Sequence, residues 1–222
     1  MDFRFKLKHE GEIKMALHDC KQRLQGDWFG YEHIGNEILY EMCRKYPKHE
    51  NKAEVYSKLW LIGRSYAASL ERNKKKASSS DIYEKVLKEL VDTRGEEIDR
   101  SLGELQPITD EASMKAVLSL HQKFVEIFNS ATDLRKRSLA SKYLHFHRRD
   151  VFYIYDNYAN RALNRYVSRI GGNLEGNYDK EYLPFVQKAH GLQGWIKEKF
   201  MMELSPRDLD DLLLYLYHEH VK

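Results

Sequence analysis

Apolar residues recur at three-to-four spacing through most of the chain, and Gly and Pro, at 12 and 4 of 222 residues, seldom interrupt them. That is the period of an amphipathic α-helix. The pattern predicts an all-α protein with helices near 10–25, 31–46, 52–73, 81–92, 95–104, 110–129, 135–147, 157–169, 181–200 and 206–219. Several ends carry their own signals. Pro47 closes the second helix, and Asp110 with Glu111 puts negative charge on the first turn after Thr109, where the helix dipole favours it. Ser205, Pro206 and Asp208 read as an N-cap followed by proline at the first helical position.

Two breaks divide this pattern. The polar run NKKKASSS, Asn73 to Ser80, predicts a linker at 74–80 between an N-terminal helical lobe, 1–73, and a second helical domain, 81–222, with the possibility that the first lobe packs on the C-terminal helices. GGNLEGNY, Gly171 to Tyr178, predicts a sharp loop because glycine admits left-handed backbone. No repeat at solenoid period is present.

Composition narrows the class. A hydrophobic fraction of 42% with 32% charge is that of a folded globular chain. Two cysteines, Cys20 and Cys43, are too few for a disulfide scaffold or a four-thiolate metal centre, and a reducing, cytoplasmic setting is expected. The longest apolar stretches, near Leu59 to Ile62 and Leu212 to Tyr217, fall far short of the ~20 residues that span a bilayer. Met1 to Lys8 lacks the apolar core and cleavage site of a signal peptide, so retention of this segment is expected.

Charge is unevenly spread. Ser130 to Ile170 carries nine Lys plus Arg against three acids, whereas Asp81 to Glu111 carries ten acids and four bases. Arg161, Arg165 and Arg169 recur every four residues and form a stripe on one helix face. Solvated helix faces give such runs, and so does a surface that tracks phosphates, since each neutralised phosphate releases counterions.

The residues with the most chemical content run from Asp133 to Tyr166, DLRKRSLASKYLHFHRRDVFYIYDNYANRALNRY. A basic lead-in precedes a compact helix with Ala140 and Ser141, then an aromatic connection, then Asp156 at the mouth of a new helix. This arrangement resembles the helix-hairpin-helix DNA glycosylases, in which the helix after the hairpin begins with an aspartate in a pattern like V-D-x-H-V-x-R-V-L-x-R. Here YDNYANRALNR aligns Asp156 with the aspartate, Arg161 with the arginine, and Arg165 beyond it. In that family the position eighteen residues upstream is lysine in enzymes that also cut the strand. Here that position is Ser138, directly before Leu139 and Ala140. The phrases KLWLIGRSYAASLER, Lys58 to Arg72, and SLASKYLHFH, Ser138 to His147, are also similar to bacterial oxoguanine-glycosylase-like proteins.

The resemblance implies two helical lobes with a cleft between them, a hairpin over 130–147, a catalytic helix over 156–170, and excision of a modified or damaged base from DNA. Asp156 would be the catalytic carboxylate, Arg135, Lys136, Arg137, Lys142, Arg161 and Arg165 the DNA contacts, and Tyr153, Tyr155 and Tyr158 the walls for a flipped base. Neither cofactor nor metal is implied. Two departures stand out. The family's L-P-G-x-G hairpin is TDLRK here, Thr132 to Lys136, without glycine, and Ser138 replaces the Schiff-base lysine, which favours base removal without strand cleavage.

An aspartate suits this chemistry because cleavage of an N-glycosidic bond makes the sugar oxocarbenium-like, and a carboxylate beside C1′ stabilises that charge and can deprotonate water. Aspartate is equally a common helix N-cap. Trp28, Phe29 and Tyr31 form a further aromatic cluster that could face the cleft. Other signals are weak: His145 and His147, or His218 and His220, diverge on a helix and make poor metal pairs, and Gly63 reads as a close helix contact. A non-catalytic nucleic-acid-binding module and an interaction protein whose basic stripe docks an acidic partner stay open alongside the enzyme.

Overall fold

The computed structural model describes residues 5–24, 30–72, 78–169 and 174–221. Trp28, Phe29, most of the 74–80 linker, Gly171 and the side chains of Cys20, Tyr31 and Arg169 lie outside the described residues. The described chain is mostly helical, and no helix in it is long and apolar enough to cross a membrane.

The elements run β1 (Phe5–Leu7), α1 (Glu10–Leu24), α2 (Gly30–Lys45), α3 (Lys52–Ser65), α4 (Ser79–Leu87), a π-helical turn (Lys88–Thr93), α5 (Gly95–Glu104), α6 (Glu111–Thr132), α7 (Arg137–His147), α8 (Asn157–Tyr166), β2 (Val167–Arg169), α9 (Tyr182–Phe200) and α10 (Pro206–His220). Caps set many of these bounds. Asn51 accepts from Ala53 N, at 2.9 Å, to start α3. Asp110, rather than Thr109, opens α6 in a reciprocal capping box with Ser113, and Ser205 does the same for α10 with Asp208.

Three features depart from the helical reading. The short ladder β1–β2 is antiparallel, pairing Phe5 with Arg169 and Leu7 with Val167, and ties the chain's start to the end of α8. Helix α3 stops at Ser65 instead of continuing to 73. The chain turns back at Ala67, in left-handed backbone (φ 48°), and Ala68 N bonds to Gly63 O at 2.8 Å. A Cβ on Gly63 would lie 2.9 Å from Ser69 Cα, so this glycine serves the chain's own return rather than a helix crossing. Third, Ser78 to Ser80 are not linker but the N-cap and first turn of α4.

The apolar residues fall into two cores that do not follow the expected division at 74–80. One is built from α2 to α7 with Val151 and Phe152; the other from α1, the start of α6, Tyr153, Tyr155 and α8 to α10. Helix α1 joins the C-terminal helices because Ile13, Ala16 and Leu17 bury their side chains there. The chain thus begins in one lobe, builds the other, and returns.

Helices α6 and α7 pack on each other across a four-residue turn, in the stretch where the hairpin was expected. Its expected weakness was the missing glycines. The backbone is left-handed all the same, at Asp133 (φ 56°) and Lys136 (φ 47°). Aspartate tolerates this conformation, but lysine adopts it at a cost of about 1–2 kcal/mol. Lys136 is held there by its own ammonium, which donates to Ser69 O at 3.1 Å and Arg72 O at 2.5 Å.

Candidate functional site

The segment from Val151 to Tyr155 is irregular and buried, so its backbone polar groups need partners. One face of α7 supplies most of them. Ser141 Oγ accepts from Tyr155 N at 3.0 Å, Lys142 Nζ donates to Tyr155 O at 3.1 Å, and His145 Nδ1 meets Phe152 O at 2.8 Å. From the other core, Tyr182 OH donates to Tyr153 O at 2.9 Å. These bonds deliver Asp156 to the start of α8 at the junction of the two cores.

Asp156 is the N-cap of α8. Its Oδ1 accepts from Ala159 N at 2.8 Å, its side chain is half-buried, and its other oxygen has no hydrogen bond among the described residues. One carboxylate oxygen is therefore committed to the helix and one is available.

Lys142 is tied to the residue just before this carboxylate, through Tyr155 O. Its nitrogen donates to Ser138 Oγ at 2.8 Å, one helical turn earlier, and sits 5.5 Å from the centroid of the Tyr66 ring. Burial lowers its affinity for a proton, while the charges of Asp156 and Asp210 act the other way. Ser138 is the residue that the resemblance aligns with the lysine of strand-cutting enzymes, and the Lys142 amine lies against its hydroxyl.

Helix α10 closes the junction. Arg207 donates to Tyr66 OH at 3.1 Å and pairs with Asp211 at 3.0 Å and, more loosely, with Asp210 at 3.4 Å. Tyr66 OH in turn donates to Asn36 Oδ1 at 2.6 Å, and Tyr40 OH bonds His145 Nε2 at 2.6 Å. Burial pushes the Asp210 carboxyl up to about 7, with Arg207 opposing and Asp156 reinforcing. Sequence reasoning singled out none of Tyr66, Arg207 and Asp210. A signal for Asp210 existed: it shares the stripe of Pro206, Leu213 and Tyr217, an acid where the helical period calls for an apolar residue.

The expected DNA contacts are mostly engaged within the chain. Arg137 pairs with the fully buried Asp179 at 2.8 Å and with Glu181 at 3.2 Å, and Arg135 reaches Asp179 at 3.3 Å. Asp179 also accepts from Glu181 N and Tyr182 N, and these bonds hold its carboxyl at about 2 despite burial. Lys136 serves the hairpin. Arg165 lies 3.4 Å from Glu12, and Arg161 donates to Tyr217 OH at 3.0 Å while remaining exposed.

The three tyrosines separate. Tyr153 and Tyr155 are core residues of the second lobe, with hydroxyls on Gln193 at 2.5 Å and Glu181 at 2.7 Å, so they are not walls of an open pocket as expected. Their rings complete the apolar packing beneath α9. Tyr158 is 48% exposed, stacked on Tyr217 at 4.6 Å, two residues after Asp156. His145 and His147 diverge, the former onto Tyr40 and Phe152 O, the latter stacked on His49.

No family model, curated protein or solved structure matches this chain.

Proposed function

We propose that this protein is a DNA base-excision enzyme of the helix-hairpin-helix type, cleaving the N-glycosidic bond of a modified or damaged base with Asp156 as its carboxylate. The observation that carries this reading is the half-engaged Asp156 side chain, at the junction of two helical lobes and next to a hairpin whose turn keeps left-handed backbone without glycine. As the C1′–N bond breaks, its electron pair leaves with the base and C1′ becomes cationic. The free oxygen of Asp156 stabilises that charge and takes a proton from the water that attacks C1′.

The exposed Tyr158 offers a stacking face close to the carboxylate, and Arg161 and Arg135 keep surface from which to meet phosphates. Lys142 favours a second form of the reaction: its amine bonds to C1′ as the C1′–N bond breaks and the base leaves with that electron pair, and the amine then loses its protons as the ring C1′–O bond opens to an imine, from which strand cleavage follows. The pairing of the hairpin arginines with Asp179 favours the alternative of a binding module without chemistry.

The test is Asp156→Asn against the parent on duplex oligonucleotides carrying a panel of damaged bases. DNA binding should persist and base release should disappear. Equal release by both proteins removes the enzyme, and binding without an abasic product from either leaves the binding module.

A further inference from the structure

Two carboxylates meet the arginines around the α6–α7 turn, and their settings differ. Asp179 is fully buried and accepts from Arg137 Nε at 2.8 Å, from Arg135 at 3.3 Å and from the N–H groups of Glu181 and Tyr182. It cannot leave without stranding those donors. The Glu181 side chain is 53% exposed, with Oε1 at 3.2 Å from Arg137 Nη1 and Oε2 accepting from Tyr155 OH at 2.7 Å. Its ion pair is a surface one, which water replaces at little cost.

The two donors that Glu181 meets are fixed without it. Arg137 follows Lys136, whose ammonium is bound to the carbonyls of Ser69 and Arg72, and Arg137 Nε is itself bound to Asp179. That second bond orients the planar guanidinium, with Nη1 toward Glu181. Tyr155 is buried, its backbone is held by Ser141 and Lys142, and its ring packs on Phe185 at 5.1 Å. Asn160, one turn after Asp156 on α8, donates to the Tyr155 hydroxyl at 3.4 Å, so the hydroxyl accepts from α8 and gives its own proton to Glu181. A guanidinium and a phenol thus converge on the two oxygens of one anion.

A phosphodiester offers what this carboxylate offers: one negative charge shared by two accessible oxygens, for which a guanidinium is a matched partner. We propose that Glu181 occupies a phosphate site, and that one backbone phosphate of DNA takes its place between Arg137 and Tyr155 while the Glu181 side chain turns out to water. This rests on the reading of the chain as a DNA-binding protein. Glu181 competes with every duplex for the same two donors, and Asp179 keeps Arg137 aimed while the exchange takes place.

The test uses the full chain and duplex DNA without a damaged base, at low salt. Glu181→Gln keeps the side chain's length and removes its charge. It should bind the duplex about fivefold more tightly than the parent, the worth of an exposed ion pair that no longer competes. Glu175→Gln removes an equal charge from an exposed glutamate that stands in no ion pair among the described residues, and should gain less than about twofold. Tyr155→Phe added to Glu181→Gln keeps the ring, removes the hydroxyl and should return the affinity toward the parent's. Equal affinities of Glu181→Gln and Glu175→Gln, or a gain that persists without the hydroxyl, overturn the proposal. Base release from damaged duplexes is scored separately. The expected gain without base release keeps the phosphate site and removes the enzyme, and base release without the gain does the reverse.

Discussion

The amine of Lys142 lies 2.8 Å from the hydroxyl of Ser138, one turn away on the same helix. The resemblance aligns Ser138 with the lysine of strand-cutting enzymes, and an amine from the next turn lies against that position. The same amine also satisfies Tyr155 O, so it helps to hold the segment that delivers Asp156. Structural support and candidate chemistry therefore share one side chain.

Ser138→Lys would set a second amine against Lys142 in a buried site, and each would lower the other's affinity for a proton. Strand cleavage should appear or increase in this variant, read by borohydride trapping of the imine on abasic duplex DNA. No trapped adduct would count against the alignment of position 138 with the family lysine.

Capping and chemistry at Asp156 separate by substitution. Asparagine caps a helix about as well as aspartate, so Asp156→Asn should unfold in urea within ~0.5 kcal/mol of the parent, whereas Asp156→Ala should cost about 1 kcal/mol. If the carboxylate acts in catalysis, both variants should lose base release by roughly 10²–10⁴-fold. Activity that tracks stability across the pair would assign Asp156 to the cap alone.

Phosphate contacts can be sorted by salt. Arg161 is exposed and Arg135 half-exposed, while the Lys136 amine is bound to two backbone carbonyls. Arg161→Ala and Arg135→Ala should each reduce the slope of log K against log salt for duplex DNA by about 0.9. Lys136→Met should leave the slope unchanged and lower stability by about 1 kcal/mol, since two carbonyls lose their donor.

Acid should unfold this protein through its buried histidines. Burial pushes His121 down to about 4 and His145 to about 3. The unfolded chain therefore binds more protons than the native one between those values and 6.5, and stability is lost as pH falls through that window. Asp179, held at about 2 and ordinarily at 3.8, extends the loss below pH 4. His121 stacks on Tyr182 at 3.6 Å, so His121→Phe should keep the ring contact and flatten the dependence between pH 6.5 and 4 in urea titrations.

Asp210 gives the opposite sign. Its carboxyl is raised from 3.8 to about 7, so the native state binds more protons across that interval and stability declines as pH rises through it. Asp210→Asn should be more stable than the parent at pH 8, by about 1 kcal/mol or more, and gain less at pH 5. A thermal midpoint at pH 8 equal to or below the parent's would contradict a buried carboxylate without adequate partners.

The helices were legible in the chain because their evidence is local: period, caps such as Ser205 with Pro206, and few breakers set most bounds to within a residue or two. Asp156 was legible as a helix opener, and the hairpin as two helices about a basic turn. What the chain did not declare depends on contacts between distant residues. The early end of α3 needs Ser69 to lie on Gly63, and the left-handed Lys136 needs the carbonyls of Ser69 and Arg72. The same holds for the pairing of Arg135 and Arg137 with Asp179, more than forty residues on, which turns expected phosphate contacts into an internal clamp. Sequence alone determined which side chains could carry charge; packing decided which of them lose water and which partners they meet, as it does for Lys142 on Tyr155 O and for Asp210 beside Arg207.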